Sequence, residues 1–419
     1  MAILLAFCAL NYRAYDGFFQ DDELDTLSWA PSRTAREYLP ALLKPTLDEA
    51  NFRPAAHLYF TLAGKAFGLD YPPYVTPIFV IHLLNALLLF VVLRRLRISV
   101  WSALAGIAFF ALSATAMDAY WKPMYCFDLL CTTFCLASLI LWIDGRWVLS
   151  FVAFWLGYKS KELAVMLPLV LLAYEFLLGK KRWLPLVPFF AASLSFGLQG
   201  ILLNPNKDND YTFRFTLAAL EKTVPFYAGR FLFFPFSGFA LLLLAFVRDR
   251  RVWFGLAATG CFLFTLLFLP GRLFEAYGYL PLAGAVIAMA AAGSVLKPRW
   301  ILLGLLLWLP WNYRQLHREQ RAQLDRDDEA FAFVDQLDRW VEKHPGVKTL
   351  IYNAPPGVYH HWGVTGAWNV AHRTAGLKAL YSGWPEAARA AATETVANAV
   401  WDEQRRTLGI QIESAKQPK

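Results

Sequence analysis

The chain has 419 residues, of which 57% are hydrophobic and only 17% charged, with 34 Phe, 16 Trp and a mean hydropathy of +0.38. This is too apolar for a soluble globular protein of its length and points to a polytopic membrane protein whose first partner is the lipid bilayer. The net charge of +8 does not indicate nucleic acid, because the basic residues lie in short tracts between apolar runs, as in membrane loops.

A spanning helix needs about 20 mostly apolar residues, and about eleven such spans are expected. They lie near residues 1–19, 74–94, 99–117, 125–143, 147–158, 163–178, 183–203, 224–247, 252–269, 278–296 and 299–313. Met1 to Leu10 lacks a basic n-region and a small-residue cleavage site, so a retained first helix is expected, interrupted by Arg13 and Asp16. In the long loop 20–73, Ser32 to Leu43 and Arg53 to Phe67 carry helical apolar spacing, with Ser32 placed to cap the first helix and Pro54 to open the second. Their apolar faces predict helices lying in the membrane interface.

Arg94-Arg95-Leu96-Arg97, Gly145-Arg146, Lys180-Lys181-Arg182, Arg248-Asp249-Arg250-Arg251 and Lys297-Pro298-Arg299 fall on every second boundary between spans. By the positive-inside rule these loops and the N-terminus are cytoplasmic. Asp21/Asp22, Asp118 to Tyr125, Tyr158 to Glu162, Asn204 to Lys222, Gly271 to Tyr279 and everything after residue 313 then face the other side.

From about residue 314 the composition becomes charged and soluble. Glu319 to Lys343 reads as an amphipathic helix, Val347 to Asn353 as a short strand, Ala354-Pro355-Pro356-Gly357 as a turn and Ala387 to Arg405 as a further helix. The expected organisation is a helical membrane domain over 1–313 and a small α/β extracytoplasmic domain over 314–419. Neither Gly-x-Gly-x-x-Gly nor a phosphate-cradling Gly-Lys-Ser/Thr occurs. Cys8, Cys126, Cys131, Cys135 and Cys261 sit in apolar segments as core residues, and no histidine stands at metal-ligand spacing.

Five ionisable clusters converge on the side opposite the basic loops: Asp21-Asp22; Asn51-Phe52-Arg53-Pro54 with His57; Lys159-Ser160-Lys161-Glu162; Arg214, Lys222 and Arg230; and Arg272 with Glu275. Ionisable groups at membrane depth are costly and tend to face a shared cavity. A carboxylate there can take a proton from a hydroxyl, while guanidinium and ammonium groups hold a phosphate as charge builds on it. Nucleotide sugars are cytosolic, so a glycosyl donor used on this face has to be carried by a lipid phosphate.

In order along the chain, Asp21-Asp22, Arg53-Pro54, the run Tyr74 to His82 with Asn85, Ser160-Lys161-Glu162 with Pro168, and Tyr279-Leu280-Pro281 resemble the GT-C superfamily of polyprenyl-phosphate-sugar glycosyltransferases. This superfamily includes protein O-mannosyltransferases and aminoarabinose transferases. The resemblance covers residues 1 to about 311 and is nearest to bacterial relatives of the transmembrane and tetratricopeptide-repeat-containing O-mannosyltransferases, although the repeats are missing here. It implies an integral protein of the bacterial inner membrane that catalyses an inverting sugar transfer from a polyprenyl-phosphate donor to a glycan, lipid or protein acceptor. Asp21 or Asp22 would be general base or help hold a divalent cation, Mg or Mn. Arg53, Lys161 and Arg272 would contact the donor phosphate, with Glu162 orienting Lys161 and with Glu275 and His57 in support. Relatives often place an Arg directly before Tyr-Leu-Pro; here the nearest is displaced to Arg272.

Plainer readings compete at each site. Asp21-Asp22 can be a capped, solvated helix end, Lys159, Lys161 and Glu162 an ion pair between helix ends, and His57 and His82 hydrogen-bonded packing residues. His360-His361-Trp362 reads as an exposed loop, since adjacent histidines diverge and no third ligand follows. The rival functions are a transporter or flippase of lipid-linked saccharides, against which the lack of internal repeats counts, and a scaffold that has lost catalysis.

Overall fold

The computed structural model describes residues 2–45, 52–202, 210–231 and 236–415. Asn51, Asn204 and the centre of the expected span 224–247 lie outside those residues. Contacts divide the chain into two compact units. The first comprises Met1–Tyr12, Ala35–His57 and Thr76–His317, and the second Arg13–Thr34, Leu58–Val75 and Arg318–Lys419.

Among the described residues, the helical stretches Pro72–Arg95, Pro123–Ile143, Arg250–Phe268 and Glu275–Gly293 are long and apolar enough to cross a membrane. Val100–Leu112 and Ala114–Trp121, bent by 53°, make a fifth span if taken together. The bend falls at Ser113, whose extended backbone breaks the helix and whose hydroxyl accepts from Thr115 N at 3.2 Å. These stretches match the spans expected at 74–94, 99–117, 125–143, 252–269 and 278–296, and they fit a membrane protein. Helix length does not establish the full count of about eleven. Trp147–Tyr158, Leu184–Gln199 and Ser237–Phe246 are apolar but only 10–17 residues long, and the first expected span is a 10-residue helix, Ala2–Asn11, followed by a 3-10 turn at Tyr12–Asp16.

Within the first unit, the helix Tyr279–Gly293 is buried along most of its length against Arg250–Phe264. Small residues allow this close approach. A Cβ on Gly255 would lie 2.7 Å from Ala288 Cα, and one on Gly284 2.6 Å from Thr259 N. Polar groups in this core are satisfied locally. His82 Nδ1 meets the Tyr279 hydroxyl at 2.7 Å, Asn85 Nδ2 donates to Leu129 O at 2.9 Å, and Thr133 donates to Asn85 Oδ1 at 2.7 Å. His82, buried against Phe7, Phe110 and Tyr120, is a hydrogen-bonded packing residue, as the sequence predicted.

Three of the basic tracts are tied to neighbouring helix ends. Arg95 pairs with Asp144 at 3.0 Å, Arg251 donates to Arg97 O at 2.9 Å, and Arg182 donates to Trp142 O at 2.8 Å while pairing with buried Glu175. Boundaries that alternate along the sequence are therefore brought together in space.

In the second unit, the described strands form one sheet in the order β2-β1-β3-β4, with β1 Thr349–Tyr352, β2 Lys378–Tyr381, β3 Val396–Asp402 and β4 Thr407–Glu413. β1 is parallel to β2 and β3, and β4 returns antiparallel to β3, Val396 opposite Glu413. The helices His361–Ala371 and Pro385–Thr393 make the crossovers between the parallel strands.

Three local expectations need correction. The helix predicted over 387–405 ends at Thr393, and Val396–Asp402 is a strand; the alanine-rich stretch does form helix, but Val396, Val400 and Trp401 are recruited by pairing with β1 and β4. The helices predicted at 299–313 and 319–343 are one 46-residue helix, Pro298–Lys343, which runs through Pro310. Ser32 does not cap the helix Ala35–Leu43: it closes a 3-10 turn, and its hydroxyl donates to Trp29 O at 2.6 Å. Pro54 does open the helix Pro54–Phe67.

Candidate functional site

The carboxylate pair is built in the second unit. Gln20 stands at the N-cap of the helix Asp21–Trp29, its N–H donating to Glu23 Oε2 at 2.7 Å and its side-chain amide to Asp327 Oδ1 at 2.7 Å. Glu23 is thereby turned inward, and Asp21 and Asp22 are left on the first turn. Here they meet the segment 360–362. Asp21 Oδ1 accepts the His360 backbone N–H at 2.9 Å, and Asp21 Oδ2 lies 2.5 Å from His360 Nδ1. Asp22 Oδ1 accepts from Trp362 Nε1 at 2.5 Å, and the Trp362 and His360 rings stack at 4.4 Å with planes 6° apart.

Two glycines make this meeting possible. The helix His361–Ala371 lies against Asp21–Trp29, and a Cβ on Gly363 would stand 2.9 Å from Asp21 Cα, while one on Gly366 would stand 2.5 Å from Leu24 C and 2.7 Å from Asp25 Cα. Any larger residue would hold the helices apart.

Burial pushes the Asp21 carboxyl above the usual range. The bonds from His360 pull it back, and the charge of Asp22 adds to the rise. Asp25, one turn on, is pushed up to about 6 by burial and then by the charges of Asp22 and Asp21. Asp21 and Asp25 thus hold a proton more tightly than ordinary carboxylates do.

His360-His361-Trp362 is therefore not simply an exposed loop. His361 and Trp362 open a helix, and His360 and Trp362 hold the two carboxylates. The adjacent histidines do diverge as expected, His361 Nδ1 meeting the Tyr352 hydroxyl at 2.5 Å. No local signal marks this pairing, because Asp21 and His360 are 339 residues apart in sequence.

The cations form a separate network in the first unit. Arg53 Nε pairs with Glu162 Oε1 at 2.7 Å. Lys161 Nζ lies 2.6 Å from both carboxylate oxygens of Asp128 and 4.0 Å from the centre of the Tyr277 ring. Arg272 donates to the Tyr277 hydroxyl at 3.1 Å and lies over the Tyr211 ring, and Glu275 is paired with Arg230. His57 Nδ1 accepts the Arg53 N–H at 2.9 Å, and its ring packs on Phe52 and Phe127, which is a structural role.

The pairing within this network differs from the one the motifs implied. Glu162 serves Arg53 and not Lys161, because the backbone is extended at Lys161 and successive side chains point apart. Lys161 takes Asp128 instead, a residue the sequence reading did not single out. An acid in the first turn of an apolar helix is the signal that could have found it. Likewise Glu275 is paired with Arg230, while Arg272 donates to the Tyr277 hydroxyl. Arg214 lies just before the helix Leu217–Arg230 and donates its backbone N–H to Phe268 O at 2.8 Å.

Among the described residues, no three His, Cys, Asp or Glu side chains are grouped to hold a metal ion. Asp21 and Asp22 are each engaged by an N–H donor. No protein-family model matches the chain, and no curated protein is similar to it in sequence.

Proposed function

We propose that this chain is a membrane glycosyltransferase that moves a sugar, with inversion, from a polyprenyl-phosphate donor to a glycan, lipid or protein acceptor on the extracytoplasmic face. In this reading it threads the bacterial inner membrane with about eleven spans, N-terminus inside. The observation that carries the reading is the carboxylate pair at the start of the helix Asp21–Trp29, with Asp21 raised in proton affinity and hydrogen-bonded to an exposed imidazole. The Asp21–His360 pair so formed accepts the proton of an acceptor hydroxyl as the hydroxyl oxygen attacks the anomeric carbon. The bond from that carbon to the phosphate oxygen breaks, and its electron pair leaves with the phosphate. By the family resemblance, Arg53, Lys161 and Arg272 of the first unit are the residues proposed to contact the donor phosphate. Glu162 accepts from the Nε donor of Arg53.

The test is transfer of radiolabelled sugar from a panel of purified polyprenyl-phosphate sugars, in membranes holding the wild-type chain or the Asp21→Asn/Asp22→Asn variant. Transfer by the wild type that is lost in the variant supports the enzyme. Labelled lipid that crosses the bilayer equally with both forms, without transfer, replaces it with the flippase. Deleting residues 314–419 is a poor substitute, since it strips the helix His361–Ala371 from the helix Asp21–Trp29.

A further inference from the structure

We propose that the group taking the acceptor proton is His360, with Asp21 and Asp22 acting as the positioning pair that orients and polarises it; the proposal rests on the glycosyl-transfer reading above. A carboxylate only accepts hydrogen bonds, so Asp21, already receiving the His360 backbone N–H, requires the proton on Nδ1 of the neutral ring. The Nε2 lone pair is then the basic one. That edge is open, because the His360 side chain is 68% exposed whereas that of Asp21 is 17% exposed. No hydrogen bond engages Nε2 among the described residues.

Asp22 has a different task. Its bond to Trp362 fixes the indole that lies parallel to the imidazole, so the ring is held at its edge by one acid and on its face by the other. This explains why two adjacent carboxylates are present when one base suffices. Asp21 is in contact, Asp22 acts through Trp362, and Asp25 lies one turn further along the same helix. Tyr359 turns inward to donate to Ala330 O at 3.2 Å, and His361 is taken by Tyr352.

The step balances. The acceptor O–H proton passes to Nε2 as the acceptor oxygen bonds to the anomeric carbon and the phosphate leaves as an anion. The imidazolium formed is stabilised by Asp21 and returns its proton to solvent after release.

His360→Asn separates the roles, since its side-chain amide can replace Nδ1–H as donor to Asp21 but offers no base. The expected result is wild-type folding and donor KM, a kcat lowered by roughly 100-fold or more, loss of the acid limb of the pH–rate profile, and partial rescue by added imidazole. A kcat within a few-fold of wild type with the acid limb intact overturns the proposal and leaves Asp21 as the base. A wild type that transfers from no donor refutes the glycosyltransferase reading instead. The dyad is then judged by 15N NMR of histidine-labelled protein, with His360→Asn assigning the signal. A Nδ1–H tautomer in the wild type that is lost in Asp21→Asn upholds the positioning pair. A Nε2–H tautomer, or one unchanged in Asp21→Asn, overturns it.

Discussion

Lys161 and Asp128 decide whether the cation network binds phosphate or only ties helix ends. Their side chains are 15% and 5% exposed, and Nζ lies 2.6 Å from a carboxylate oxygen. At an effective dielectric of about 20 that separation corresponds to an attraction of about 6 kcal/mol. Desolvating the two ions costs several kcal/mol each, so the intact pair is close to neutral for stability. Lys161→Met leaves Asp128 buried without its cation and is expected to destabilise the protein by about 3–5 kcal/mol. The double variant Lys161→Met/Asp128→Leu removes both charges at similar volume and is expected to regain most of that loss. Thermal unfolding of the purified protein in detergent reads the stability half of this cycle, and sugar transfer reads the other. If Lys161 serves the phosphate, the double variant recovers stability while transfer stays low. Recovery of both shows that Lys161 is a structural tie, and the phosphate-binding role is refuted.

Two further predictions concern the second unit. Gly366→Ala sets a methyl against α-helical backbone that cannot rotate away, and is expected to destabilise this unit by about 1–3 kcal/mol even though alanine favours helix; a midpoint of unfolding equal to or above wild type would sink the account of how the two helices meet. Asp25 has its proton affinity raised to about 6, so the folded state binds more protons than the unfolded chain and stability falls as pH rises from about 4 to about 6. The full shift is worth about 3 kcal/mol, reduced to about 1–2 by solvent screening of a partly exposed group. Urea unfolding at pH 4 and pH 7 should show that loss in the wild type and not in Asp25→Asn, and equal losses in both would show that the slope belongs to other groups.

The long apolar helices were legible in the sequence because hydrophobicity over about 20 residues is a summed property that no single contact can reverse. The alternation of basic tracts was legible for the same reason, and three of those tracts are tied to neighbouring helix ends. The acids at 21 and 22, Arg53, Lys161 and Glu162 could be picked out as charges beside apolar runs, since such charges are costly without a partner. Their partners could not be picked out. Glu162 and Lys161 are neighbours in sequence, yet an extended backbone sends them to Arg53 and Asp128. Val396 to Asp402 continues an alanine-rich helical stretch until sheet pairing claims it. The tertiary structure alone gave His360 and Trp362 their place, because only the close crossing allowed by Gly363 and Gly366 carries them to two carboxylates more than 300 residues away. Composition and periodicity determine where chain enters an apolar medium, whereas the partner of a particular charge depends on packing between segments that local pattern does not encode.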